Sequence, residues 1–310
     1  MYIVSLNLKS SSYLIVLMLF FSTALHGQDD LDALLGGGDE DINEPVTATF
    51  KTTRIINSHS TEMVKAKHLD FRIAHRFGDM FGASGGPETM FGIDNASDIK
   101  MCFEYGVNED LSLGLGRSKG GNTIKSIIEG YAKYRIMQQT KDNKKKISVV
   151  LIGHMSASYM SATEDPTLIT SFDNFAHRLT YVSQLLIAKK FTSAFSLQVM
   201  PSYIHRNFVD YEDQNGMFAL GVGGRLKFTK RFGIIADYFH AFRAQNIIGN
   251  VQYYNPLSFG IEIETGGHVF HINFTNSRSM AEGQFIPYTS SDILSGQFRF
   301  GFNISRLFAM

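Results

Sequence analysis

Between Leu69 and Phe308 twelve short stretches alternate apolar and polar residues. Successive side chains of a strand point to opposite faces, so each stretch reads as a strand with one apolar and one polar face. A wall with lipid on one side and water or protein on the other needs that pattern, and it never produces a long apolar run. After the N-terminal segment no window reaches the roughly 18 consecutive apolar residues of a membrane helix. The alternation therefore predicts an all-β fold, a single transmembrane antiparallel β-barrel of about 12 strands.

The N-terminus sets the expected compartment. Lys9 supplies a weakly positive start, Tyr13 to Phe21 is almost wholly apolar, and Ser22 to Gly27 offers small residues for cleavage. These features predict a signal peptide over residues 1–27, cut after Gly27 or alternatively after Ala24. Its apolar core is short for about 30 Å of hydrocarbon, which argues against a retained anchor. Residues 28–67 read as an acidic, flexible leader followed by a possible lumen or lead-in segment, and 68–310 as the barrel. Gln28 to Glu44 carries seven acidic residues and no basic ones, with glycines at 36, 37 and 38. Leu31, Leu34 and Leu35 within it offer a short apolar stretch for a partner. Thr47 to Ile56 is β-prone but polar, suited to a lead-in strand or to a segment tucked into the lumen.

Composition excludes several function classes. Cys102 is the single cysteine, so there is neither a disulfide framework nor a cysteine-rich metal site. A formal net charge of +0 gives no electrostatic case for nucleic acid. Five of the 6 prolines avoid strand interiors, whereas Pro201 predicts a bulge or kink.

The predicted strands are Leu69 to Phe77, Ile99 to Tyr105, the Leu111-Leu113-Leu115 stretch, Thr123 to Met137, Ile147 to Met160 and Phe175 to Ala188. They continue with Phe195 to Arg206, Phe218 to Phe228, Phe232 to Phe242, Leu257 to Glu264, His268 to Thr275 and Leu294 to Ser305. Connections alternate long and short along the chain, apart from a brief one over Ser118 to Asn122. Up-and-down order with an even strand count returns both termini to one side, here expected to be periplasmic. The last strand sets Phe298, Phe300, Phe302 and Ile304 against Arg299, Gly301, Asn303 and Ser305, the aromatic-rich end expected to be read by barrel-assembly machinery.

Several segments carry a resemblance. Glu44 to Lys51, Thr53 to Asn57 and Leu69 to Gly78 resemble the DUF5777 family of Bacteroidetes β-barrel proteins. So do Phe91 to Ala96, Gly114 to Ser118, Tyr131 to Arg135, Tyr203 to Asn207 and Gly221 to Arg225. The resemblance implies an outer-membrane barrel in a Gram-negative envelope and brings no catalytic residue with it.

Charges on the polar faces form the candidate site. Arg72, Arg76, Lys100, Glu104, Glu129, Lys133, Arg135, Arg178, Arg225, Lys227, Asp237, Glu262 and Glu264 alternate with apolar neighbours. Lipid rejects such groups, so they face water or one another. They line either a narrow channel for a small polar solute or a filled interior braced by ion pairs. The first reading is a channel or transporter with an unobstructed lumen. The alternative is a non-conducting structural or adaptor barrel that binds envelope components through its leader and long loops. That alternative expects a blocked lumen and exposed apolar tips such as Phe91 or Phe285 and Ile286. No enzymatic activity, cofactor or metal is expected. His154, Ser156, Ser158, His205, His240 and Asp237 read as polar lining, and His268 and His271 fall on opposite faces of one strand. The expected partners are outer-membrane lipid, the assembly machinery, and a small solute or an envelope protein.

Overall fold

Alternating stretches become a wall because each strand pairs with both neighbours, leaving no open edge of unsatisfied backbone. The computed structural model describes residues 44–95, 98–121 and 123–310. The expected signal peptide and the leader through residue 43 lie outside the described residues.

Twelve antiparallel strands close the barrel in sequence order. They are β1 (His68–Asp79), β2 (Asp98–Gly106), β3 (Leu111–Lys119), β4 (Ile127–Met137), β5 (Ser148–Ser158) and β6 (Leu179–Lys190). β7 (Phe195–Arg206), β8 (Gly216–Lys227) and β9 (Phe232–Ala241) follow. A small hairpin, β10 (Ile247–Ile248) with β11 (Val251–Gln252), stands outside the wall. β12 (Leu257–Glu264), β13 (His268–Thr275) and β14 (Arg299–Ala309) complete it, and one short helix, α1 (Glu282–Tyr288), lies between the last two. β1 closes the ring, with Ile73 opposite Met101 on β2 and Ile304 on β14. Among the described residues no helix is long and apolar enough to cross a membrane.

Side chains sort by face around the whole ring. Leu115, Tyr134, Leu151, Phe218, Phe259 and Ile272 are exposed on the outside, while the residues between them turn inward and are buried. Short connections at 107–110, 138–147, 191–194, 228–231 and 265–267 share the rim where β1 starts and β14 ends. The segments 80–97, 120–126, 159–178, 207–215, 242–256 and 276–298 share the far rim, and all but 120–126 and 207–215 are longer than any connection at the terminal rim.

Local expectations fail where a turn or a missing donor decides. Pro201 produces no bulge, because it holds register opposite Leu220 and the β6–β7 ladder skips only around Leu185 and Leu186. The lost N–H costs a ladder bond without shifting the strand. Register shifts fall instead between Arg76 and Asp79 and between Arg135 and Met137. β4 starts four residues after Thr123, since Gly120, Gly121 and Ser126 take positive φ in the connection before it. β6 starts at Leu179, because the Asn174 side chain caps a short 3-10 turn over Phe175–Arg178 by accepting from the His177 N–H. The final strand starts at Arg299 rather than Leu294, after a turn capped by Asp292 and ended by Gly296 at φ 75°. It runs on to Ala309, so Leu307 and Phe308 belong to the wall.

Candidate functional site in the barrel interior

Two segments occupy the lumen. The first is residues 45–67, which enter at the terminal rim, where the Val46 N–H donates to the Gln139 carbonyl at 2.7 Å. Its tip is a tight hairpin, with Ile55 N–H to Ser58 O and Ser60 N–H to Thr53 O, both 2.9 Å. Small hydroxyl residues permit this fold because their side chains bond the local backbone: Thr52 Oγ1 to Arg54 O at 2.6 Å, Ser60 Oγ to Thr52 O at 2.5 Å. The chain then returns to the rim, where Lys67 N–H donates to Gly106 O.

Asp237 on β9 anchors the hairpin. Its Oδ2 accepts from the N–H groups of Ile56 (3.2 Å), Asn57 (2.9 Å) and Ser58 (2.9 Å), and from Ser58 Oγ (2.9 Å). Gln198 on β7 clamps the return strand, accepting from Thr61 N–H at 2.9 Å and donating to His59 O at 2.7 Å. Phe50, Ile55 and Ile56 pack on Ala188 and Ile235 of the wall. Gly223 makes room for them, because a Cβ there would sit 2.4 Å from Ile55 Cδ1.

The second segment is the 276–298 connection, which folds inward from the far rim. Every residue of α1 is buried. Phe285 and Ile286 join an apolar cluster with Val150, Ile152, Val182, Leu186, Met200, Ile204 and Phe239. They are therefore not the exposed tips that their place in a long loop suggested. The helix docks closely because residue 283 is glycine; a Cβ there would lie 2.5 Å from Thr180 Cγ2. Arg243 donates to the Ile286 carbonyl at 2.8 Å and secures the end of α1 from the neighbouring loop.

The two inserts meet in a buried ionic cluster. Arg54 of the hairpin pairs with Glu282 of α1 at 2.7 Å and approaches Glu129 of β4 at 3.9 Å. Glu129 is also held by Lys100 and by His154 Nε2 at 3.2 Å. His59 lies 3.4 Å from Glu282, and burial together with the nearby Arg54 guanidinium pushes its imidazole well below its ordinary range. Beside this cluster, Lys133 lies 3.5 Å from Glu104 and donates to Glu62 O at 2.6 Å. Nearer the terminal rim, Arg225 pairs with Glu262 (2.7 Å) and Glu264 (2.9 Å), and Lys51 reaches Glu264 at 2.8 Å.

Nine of the thirteen residues singled out by alternation are buried inside: Arg72, Arg76, Lys100, Glu104, Glu129, Lys133, Arg225, Asp237 and Glu262. Glu264, Lys227 and Arg135 are half-buried at the terminal rim, where Arg135 donates to Gln138 at 3.0 Å. Arg178 sits on no strand; from its 3-10 turn it donates to Ser158 O and Met160 O and lies over the Phe172 ring. Arg54, His59 and Glu282 carry the centre of the site and escaped alternation because none lies on a strand. Among the residues weighed for catalysis, His154 turns to Glu129, Ser158 Oγ donates to Lys125 O at 2.8 Å, and His240 faces outward beside Asn255. Glu129, His154 and Glu282 bring ligand atoms within 4.8 Å of one another. The Lys100 ammonium and the Arg54 guanidinium pair with the same two carboxylates through their Oε1 atoms.

Residues 50–308 match the family described as a membrane-bound β-barrel domain, DUF5777. The chain belongs to this family. Among solved structures it is similar to the COG4313 outer-membrane channel from Pseudomonas putida F1, at 12% identity and a TM-score of 0.48, covering 80% of this chain and 98% of that one. It is also similar to the NanC porin, at 9% identity and a TM-score of 0.45, covering 78% and 99%. The KdgM porin has 8% identity and a TM-score of 0.45, covering 77% and 98%. No protein of curated function is similar to the chain in sequence.

Proposed function

We propose that the protein is an outer-membrane barrel closed by its own chain, a non-enzymatic, non-conducting anchor that engages other envelope components through its far-rim loops. One observation carries this reading. The inward faces of β5 to β9 supply Val150, Ile152, Val182, Leu186, Met200, Ile204 and Phe239, all nearly sealed from solvent beneath α1. A water-filled pore needs a polar lining, and an apolar inner face of this size is stable only when covered. Apolar side chains at the far rim fit a docking role: Phe81, Met90, Phe91 and Ile93 are exposed in the first loop, and Leu294 is 93% exposed in the last. Membership in a membrane-bound barrel family and the lipid-compatible outer wall support the outer-membrane location.

A second reading, a narrow channel for small polar solutes, is favoured by polar vestibules at the two mouths. One of about 360 Å³ is lined by Lys51, Glu62 and Asp70, and one of about 490 Å³ by Asp79, Asp94 and Arg299. Here the buried charges act as the filter and the 45–67 hairpin as a gate. Single-channel recording of the folded, signal-free protein separates the two. The closed-barrel reading expects silence across the voltage range, and stable conductance steps would overturn it in favour of the channel.

A further inference from the structure

Where β1, β2 and β14 meet the hairpin tip, a small cavity is bordered by four cationic side chains: Arg72 and Arg76 of β1, Lys100 of β2 and Arg54 of the hairpin. Asn57 and Asn303 complete its polar lining. Its volume of about 10 Å³ is room for one water-sized particle.

Four cationic groups border the cavity and, among the described residues, no carboxylate lines it. Arg54 has Glu282 and Lys100 has Glu129. Arg72, only 4% exposed, stands 3.6 Å from Asp70, and neither of its terminal nitrogens has a hydrogen-bond partner. Asp70 itself accepts from Thr53 Oγ1 at 3.2 Å. Arg76, 1% exposed, donates only to neutral oxygens: Asn57 Oδ1 at 2.8 Å, His75 O at 3.0 Å and Asn303 Oδ1 at 3.1 Å. No carboxylate lies within 4.0 Å of it among the described residues. Asp98, directly across on β2, is engaged by Arg278 at 2.8 Å and Gly121 N–H at 3.1 Å, and Asp237 holds the hairpin tip. A buried guanidinium whose terminal donors find no acceptor is strongly disfavoured.

We infer that this cavity binds one monatomic anion of chloride size, held by Arg72 and surrounded by Arg76, Lys100 and Arg54. Water accepts a hydrogen bond from Arg72 but brings no negative charge into a cavity lined by four cations. Sulfate and phosphate exceed the space. The bound anion joins β1 and β2 to the hairpin and so pins the insert to the wall.

The test uses the whole signal-free protein, folded and purified in bromide, chloride, sulfate or gluconate at equal ionic strength. The site predicts that bromide and chloride each add a saturating rise in unfolding temperature, whereas sulfate gives only the gradual, non-saturating rise of an excluded salt and gluconate no saturating rise. Crystals grown in bromide are expected to show an anomalous peak beside the Arg72 guanidinium, and Arg72→Gln loses both the peak and the halide increment. No peak together with no saturating halide increment overturns the inference, as does a halide increment that survives in Arg72→Gln. If Arg72→Gln fails to fold, the wild-type comparison decides by itself.

Discussion

The two sides of the barrel look alike from the membrane and unlike from within. From β12 through β14 and on to β4 the inner face carries Glu262, His271, Asn303, Arg72, Lys100, Glu104, Glu129 and Lys133. From β5 to β9 it carries an apolar stretch, Val150, Ile152, Val182, Leu186, Met200, Ile204, Ile235 and Phe239, set among polar residues such as His154, Gln184, Gln198 and Arg225. The outer faces match because lipid makes the same demand at every strand. The inner faces differ because different residues of the same two inserts cover them. The charged side receives Arg54 of the hairpin and Glu282 of α1, and the apolar side receives Phe50, Ile55 and Ile56 of the hairpin with Phe285 and Ile286 of α1. Asp237 is buried on that side with Arg206 and Arg225, and it gathers the backbone donors of the hairpin tip. The interior is therefore assembled as a folded core, one part bonded and the other packed.

Substitutions graded across that divide test it. On the charged side, Arg54→Ala strands Glu282 and leaves Glu129 short of a partner. It is expected to cost about 3–5 kcal/mol in urea unfolding from vesicles, and a loss near zero means that water already solvates the cluster. On the apolar side, Leu186, at 0% exposure, is the sharpest probe. Leu186→Ala is expected to cost about 2–5 kcal/mol through lost burial and the cavity left behind. A value well below 1 kcal/mol, on the order expected at a wet surface, argues for an aqueous lumen there. Asp237→Asn keeps an acceptor but gives up the charge facing four donors, so about 1–3 kcal/mol is expected. Loosening confined to residues 54–60, read by hydrogen exchange, would show that the loss acts on the hairpin. The smallest effect belongs to the rim: Glu264→Gln loosens a partly exposed link to Lys51 and leaves Arg225 its Glu262 partner, so stability is expected to change by less than about 1 kcal/mol.

Alternation made the wall legible because lipid forces it strand by strand, and twelve strands, their order and their loop sorting follow from it. Strand ends were less legible. Gly120, Ser126, Asn174 and Asp292 set them through turn geometry and caps, which compete locally with an apolar pattern that runs on past the true end. The interior was legible only by half. Polar-face charges marked the wall's contribution, but Thr47 to Ile56 has the same β-prone, polar character whether it leads into a strand or folds into the lumen. Phe285 and Ile286 in a long loop read as a surface tip because nothing local announces the cavity that buries them. The Arg54–Glu282 contact joins positions 228 residues apart and has no local signature at all.

Cys102 offers the most direct test of the filled interior. It is the single cysteine, it points inward from β2 at 4% exposure, and its sulfur lies 3.2 Å from the Tyr131 hydroxyl. The folded protein, reconstituted in vesicles, would be treated with a small water-soluble thiol reagent at alkaline pH, with a urea-unfolded sample as the fully reactive reference. A filled core predicts that folded Cys102 stays unlabelled until the barrel unfolds, whereas labelling of the folded barrel at a rate near that of the reference would contradict it.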